Sequence, residues 1–129
     1  MFTLNQIKEA HLKVKSGKDF PGYINEIKQL GVLAYEQYVS NGQTKYLGAN
    51  DFEVSSDSKY DTLEIAKSGD IEKLKHALKI HQNGETDYLT FCKQSAEAGV
   101  EKWVVDNQNM TCTYFDKSGN EMVVEVIPS

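Results

Sequence analysis

Three histidines, two cysteines and nineteen carboxylates are the first places to look for acid–base, nucleophilic or metal chemistry in this sequence. Two histidines that share a metal on one helix face need a spacing of three or four residues. His76 and His81 are five apart, so on a helix they diverge, and His11 stands alone. His11 and His81 fall on apolar stripes, where a histidine reads as the edge of a core. Cys92, in the run Tyr-Leu-Thr-Phe-Cys-Lys, falls on the apolar side of its helix. A nucleophilic thiol needs exposure, a basic neighbour and an orienting group. Lys93 follows directly but projects about a hundred degrees away, so Cys92 reads as a small buried hydrophobe. Cys112 sits on a strand between Thr111 and Thr113 and reads the same way. No cofactor or metal is implied. The single glycines end helices or make turns and do not cradle phosphate. The stretch from Asp116 through Asn120 lacks the alternating acids of a calcium loop.

Two further groups of residues are candidates for a surface or a pocket. Glu53 and Glu121 occupy matching places in the two halves of the chain; close together, they would make an acid pair or a cation site. Tyr35, Tyr38, Tyr46, Trp103 and Tyr114 fall on expected strands. They pack in the core or, if one sheet face is left bare, line a binding face.

The elements that must position these residues follow from spacing and punctuation. Thr3-Leu4-Asn5-Gln6 fits a capping box, with Leu4, Ile7, His11 and Val14 on one helix face and Ser16-Gly17 as its end. Asp19 is placed to cap a second helix with Pro21 in its first turn, Phe20, Tyr23, Ile24, Ile27 and Leu30 as its apolar stripe and Gly31 as its end. Strands are expected over 32–39, 43–47, 52–55 and 62–66, with Asn41-Gly42 as a turn in which both residues take positive φ. The pattern then restarts. Asp70 caps a helix with Ile71, Leu74, Leu78 and His81 on one face, stopped by Asn83-Gly84. Asp87 caps another with Tyr88, Phe91, Cys92 and Ser95, stopped by Gly99. Strands are expected over 100–106, 110–115 and 122–127.

A shift of 68 residues lays the second half on the first without a gap. Asp19 meets Asp87, Tyr23 meets Phe91, and Gly31-Val32 meets Gly99-Val100. Tyr35 meets Trp103, Tyr46 meets Tyr114 and Glu53 meets Glu121. The expected fold is therefore α+β: two tandem pseudo-symmetric helix–helix–antiparallel-sheet repeats, about 3–66 and 70–127, in one compact domain over 1–129.

Composition narrows the function classes. With 129 residues, 40% hydrophobic and 26% charged, the chain can fold without a staple. The formal charge is −5. Lys8, Lys13, Lys15 and Lys18 are interleaved with Glu9 and Asp19, a solvated helix face and not a phosphate-neutralising patch. No segment has the apolar length of a membrane span, and Met1 to Gly17 lacks a signal-peptide core. The expectation is a cytoplasmic protein with reduced thiols and neither nucleic acid nor membrane as partner.

The run from Thr86 to Cys92, then Ala98 to Asp106, then Met110 to Tyr114 resembles the YbcV-like family of small bacterial and prophage-encoded proteins. So does the opening Phe2-Thr3-Leu4-Asn5-Gln6-Ile7-Lys8 with Val14-Lys15-Ser16-Gly17. The resemblance implies a protein of unknown function and a prophage origin, since some members are labelled "phage envelope protein". It carries no catalytic residue with it. Two readings stand side by side. One is a non-enzymatic binding protein whose sheet holds a second copy, another protein or a small ligand. The other is a small enzyme or metabolite-binding domain with a pocket between the repeats, into which His11, His76, His81, Glu53 or Glu121 would face.

Overall fold

The computed structural model describes residues 2–14 and 19–127. Within them lie four helices and one six-stranded antiparallel sheet. The first helix, α1 (Leu4–His11), begins as its capping box dictates: the Thr3 hydroxyl accepts from the Gln6 amide, and the Gln6 side chain accepts from the Thr3 amide. It closes at Leu12; the end expected at Ser16-Gly17 lies outside the described residues, as do Lys15 and Lys18. Helix α2 (Phe20–Leu30) buries Tyr23, Ile24 and Ile27 and ends on Gly31 at φ 109°. Asp19 was expected to cap it. It instead has helical backbone angles, and its carboxylate makes no capping bond to the helix. Helices α3 (Ile71–Gln82) and α4 (Tyr88–Glu97) carry the expected caps, with Asp70 accepting from Lys73 N–H and Asp87 from Thr90 N–H.

The strands are β1 (Ala34–Tyr38), β2 (Thr44–Leu47), β3 (Glu53–Ser55), β4 (Val100–Asp106), β5 (Thr111–Asp116) and β6 (Glu121–Val126). Their order is β3-β2-β1-β4-β5-β6. The β1–β2 turn differs from the two-residue form that Asn-Gly suggests. Gly42 alone takes positive φ, while the Asn41 carboxamide oxygen accepts from Gln43 N–H and stabilises a longer loop. The strand expected over 62–66 does not form. Residues 56–69 cross between the two halves as an irregular segment pinned at single points: Tyr60 hydroxyl to Val39 carbonyl (2.6 Å), Leu63 N–H to Ser40 carbonyl (2.7 Å) and Ala66 N–H to Ala96 carbonyl (2.9 Å). Its apolar residues, with Ile65 buried, anchor it to the core in place of a ladder.

The helices cover one face of the sheet. Tyr23 of α2 and Tyr46 of β2 are both buried in the shared core, and Phe91 of α4 packs on Trp103 of β4 at 5.6 Å between ring centroids. The Gln82 amide of α3 reaches Glu125 of β6. Burying this layer supplies the main stabilising force, since apolar area leaves water on both sides of the interface. Two cross-strand pairs stand at the same register in the two halves. Tyr35 faces Tyr46, and Trp103 faces Tyr114, with centroid distances of 5.6 and 5.7 Å.

Candidate functional site

Strand alternation sends successive side chains to opposite faces, so each directly paired position shares a face with its partner. Tyr35, Gln37, Tyr46, Trp103, Cys112 and Tyr114 all project toward the helices and are buried. Of the strand aromatics, Tyr35, Tyr46, Trp103 and Tyr114 are therefore core residues on the covered face, each at most 8% exposed, while Tyr38 lies half-buried on the opposite face. Glu53 and Glu121 are exposed on β3 and β6, the opposite edges of the sheet, so the structure does not bring them together. Five strand intervals separate them, roughly 24 Å.

Where the two halves meet beneath the helices, a polar cluster forms. The Cys92 thiol lies beside the hydroxyls of Tyr60 and Tyr88, with Lys59 near it. The Lys59 ammonium donates to Thr44 Oγ1, which donates to the carboxamide oxygen of Gln37. Burial raises the Cys92 thiol above its ordinary pKa against the opposing pull of the two hydroxyls and Lys59. Burial likewise raises the Tyr60 and Tyr88 hydroxyls and lowers the Lys59 ammonium. A fully buried, protonated thiol is a weak nucleophile. Gln37 Nε2 is buried with no hydrogen-bond partner in this cluster. Cys112 is also buried; burial takes its thiol up to about 12.

Two of the three histidines pack against aromatic rings. His11 meets the Tyr23 ring edge-on at 5.3 Å, and His81 stacks on Phe91 at 4.6 Å with Nδ1 against Thr86. His76 is exposed on α3. No group of three metal-ligating side chains occurs among the described residues. One hollow of about 230 Å³ is lined by Phe2, Leu30, Gly31, Ala49 and Phe52, and a shallower one by Ile65, Lys67, Lys73 and Glu97. Neither is lined by a histidine or by Glu53 or Glu121.

Among the described residues, the opposite face of the sheet carries no helix. Its central row reads Lys45, Glu36, Val104, Thr113, Val124, each directly paired with the next across neighbouring strands. A second row reads Tyr38, Lys102, Phe115, and a third Leu47, Ala34, Asp106, Thr111, Val126. All are partly or fully exposed. A polar centre is fixed on it. Glu36 Oε1 accepts from the Tyr38 hydroxyl (2.8 Å) and from Lys102 Nζ (3.1 Å), and Lys102 lies 5.9 and 5.8 Å from the Tyr38 and Phe115 ring centroids. Burial would raise the Glu36 carboxyl; the hydrogen bonds from Tyr38 and Lys102, with the charges of Lys102 and Lys45, outweigh it and hold the pKa below normal. Tyr38 is pushed up to about 12, first by burial and then by its bond to Glu36. Beside this centre lies a patch of Val104, Thr111, Thr113, Phe115, Val124 and Val126. Sequence reasoning passed over these residues because it weighed the largest aromatics. The available signal was the period of two: the side chains between Tyr35, Trp103 and Tyr114 define the other face.

Fold and surface together define an α+β protein with an antiparallel sheet covered on one face. The chain belongs to the family described as "Protein of unknown function (DUF1398)", which it matches over residues 8–126. It is similar to the uncharacterized protein YcgX of Escherichia coli (strain K12), 20% identical over 113 residues, 88% of this chain and 84% of that protein. It is also similar to the uncharacterized proteins Mb2035 of Mycobacterium bovis and Rv2012 of Mycobacterium tuberculosis. Each is 41% identical over 56 residues, 41% of this chain and 34% of the mycobacterial protein. No helix among the described residues is long and apolar enough to cross a membrane.

Proposed function

We propose that this protein is a non-enzymatic binding protein that holds a protein partner on the open face of its sheet. The observation that carries the reading is the Val104–Thr113–Phe115–Val124 patch beside the fixed Glu36–Tyr38–Lys102 centre. Apolar area rimmed by oriented charges is the composition of protein interfaces. A flat sheet suits a protein surface better than a small molecule, which needs concave walls. The two halves are read as diverged copies about a pseudo-twofold axis. Supporting this, Glu36 and Val104 pair directly and are 68 residues apart, the offset that also maps Tyr35–Tyr46 onto Trp103–Tyr114. A prophage origin and a cytoplasmic site of action come with the resemblance to the YbcV-like family and with the sequence composition.

A photo-crosslinking residue at Thr113, introduced in host cells, tests the reading. The expected result is a discrete adduct with another protein, absent when the same residue replaces exposed Lys75 on α3. Equal, diffuse labelling at both positions overturns it. The second reading, a ligand site between the halves, is favoured by the unpartnered Gln37 amide beside Thr44 and Lys59. Native mass spectrometry of protein purified from its host distinguishes the two, because a small bound mass lost on denaturation supports only the second.

A further inference from the structure

The two edges of the sheet are built differently. Strand β3 has three residues, exposes Glu53 and Ser55, and is covered by the Lys45–Glu53 ion pair (3.8 Å). Short, charged edges resist further pairing. Strand β6 has six residues and exposes Val124 (53%) and Val126 (80%). Of its two acids, Glu121 is exposed at the start of the strand, away from Val124 and Val126, and Glu125 is drawn under the sheet by the Tyr114 hydroxyl (3.1 Å) and the Gln82 amide (2.9 Å), so neither guards the edge beside the two valines.

The backbone of β6 is also open. Ile127 N–H donates to the Met110 carbonyl, which directs the peptide groups of residues 127, 125 and 123 toward β5 by antiparallel alternation. The N–H and C=O of Val124 and Val126 then point outward, and β6 is the last strand in the sheet. We infer that β6 pairs antiparallel with β6 of a second copy of this chain, about a twofold axis at Val124, joining two sheets into one of twelve strands. This goes beyond the partner on the open face, since it uses the edge and not the face.

Charge disfavours the two neighbouring registers, and an axis at Val124, the centre of 121–127, pairs the whole strand where one at Val126 pairs only its end. A twofold axis at Glu125 would set two Glu125 side chains opposite each other, and an axis at Val123 would oppose Glu121 to Glu125. Like charges in direct cross-strand pairs are destabilising. The axis at Val124 instead sets Glu125 against Val123 and Glu121 against Ile127. It places Val124 beside its own mate as a hydrogen-bonded pair and continues the row Val104–Thr113–Val124 into the second sheet. The surface is thus complementary to itself, as a twofold interface requires.

Cysteine crosslinking of the full chain tests this. In a hydrogen-bonded antiparallel pair the two Val124 Cα atoms lie about 5.5 Å apart, within disulfide reach. The two Val126 Cα atoms would lie roughly 14 Å apart, outside it. Under mild oxidation Val124→Cys is expected to run as a dimer on a non-reducing gel. Val126→Cys and the wild type, whose Cys92 and Cys112 are buried, are expected to stay monomeric. In sedimentation equilibrium the wild type is expected to be dimeric, and Val124→Lys, at an exposed position, to weaken the dimer by about tenfold or more with an unchanged circular dichroism spectrum. A monomeric wild type at the highest attainable concentration overturns the inference. So does a dimer indifferent to Val124→Lys, or crosslinking as efficient at Val126 as at Val124. A larger complex with another protein that is lost in Val124→Lys, without self-association of the pure chain, assigns the edge to that protein and overturns it too.

Discussion

Glu36 and Val104 face each other across the two central strands, 68 residues apart in sequence, at the middle of the uncovered sheet face. Through Tyr38 and Lys102 the Glu36 carboxylate organises the polar half of that face, and Val104 begins the apolar half. A face with this division tolerates water on its charged side and gains from contact on its apolar side.

The Glu36 centre makes stability pH-dependent in a stated direction. Its folded pKa lies below the ordinary value of 4.5, so the unfolded chain binds the proton more readily. The contribution is complete above about 4.5 and is lost as pH falls through the lowered folded value. Urea unfolding of the wild type and Glu36→Gln across the acid range is expected to show a shallower loss in the variant. A Glu36→Gln, Lys102→Met double-mutant cycle is expected to give a coupling of about 0.2–1 kcal/mol, since both side chains keep some solvent contact.

Trp103 is packed between Phe91 and Tyr114 at 5.6 and 5.7 Å. Trp103→Ala removes a large ring from a site that cannot fully collapse, at an expected cost of about 3–5 kcal/mol in denaturant unfolding. Trp103→Phe is expected to cost less, because an aromatic contact remains.

Two helix-ending glycines separate strain from space. Gly84 has φ +78° with nothing within 4 Å of an added Cβ. Gly84→Ala should cost only the left-handed penalty of about 1–2 kcal/mol. Gly99 has φ +87°, and an added Cβ would sit 2.6 Å from the Ser68 carbonyl oxygen and 2.8 Å from the Gly69 Cα. That segment must move, so Gly99→Ala is expected to lower the unfolding midpoint clearly further than Gly84→Ala.

Asn107 ties the end of β4 to the start of β1. It is fully buried, its Nδ2 donates to the Val32 carbonyl at 2.9 Å, and its N–H donates to the Leu33 carbonyl. Asn107→Ala strands the Val32 carbonyl without that donor, at an expected cost of about 1–3 kcal/mol by equilibrium unfolding.

What the sequence determined by itself is local. Apolar spacing located four helices and seven strands, six of which form, and Asp70, Asp87, Gly31 and Gly99 marked element ends, because caps and left-handed residues act within a few positions of the chain. The same reasoning fails where distant atoms decide. Asp19 has the residue type of a cap but not the backbone angles. Residues 62–66 have strand composition, but only single hydrogen bonds tie them to the structure and no strand ladder forms. The tertiary structure also decided which sheet face the helices cover. Period-two alternation gives every strand two faces but says nothing of which one is buried. Here Tyr35, Tyr46, Trp103 and Tyr114 turned inward because they offer the most area to remove from water. That left Glu36, Lys102, Val104, Thr113, Phe115 and Val124 to form the exposed face, and only the pairing of β1 with β4 brought them side by side.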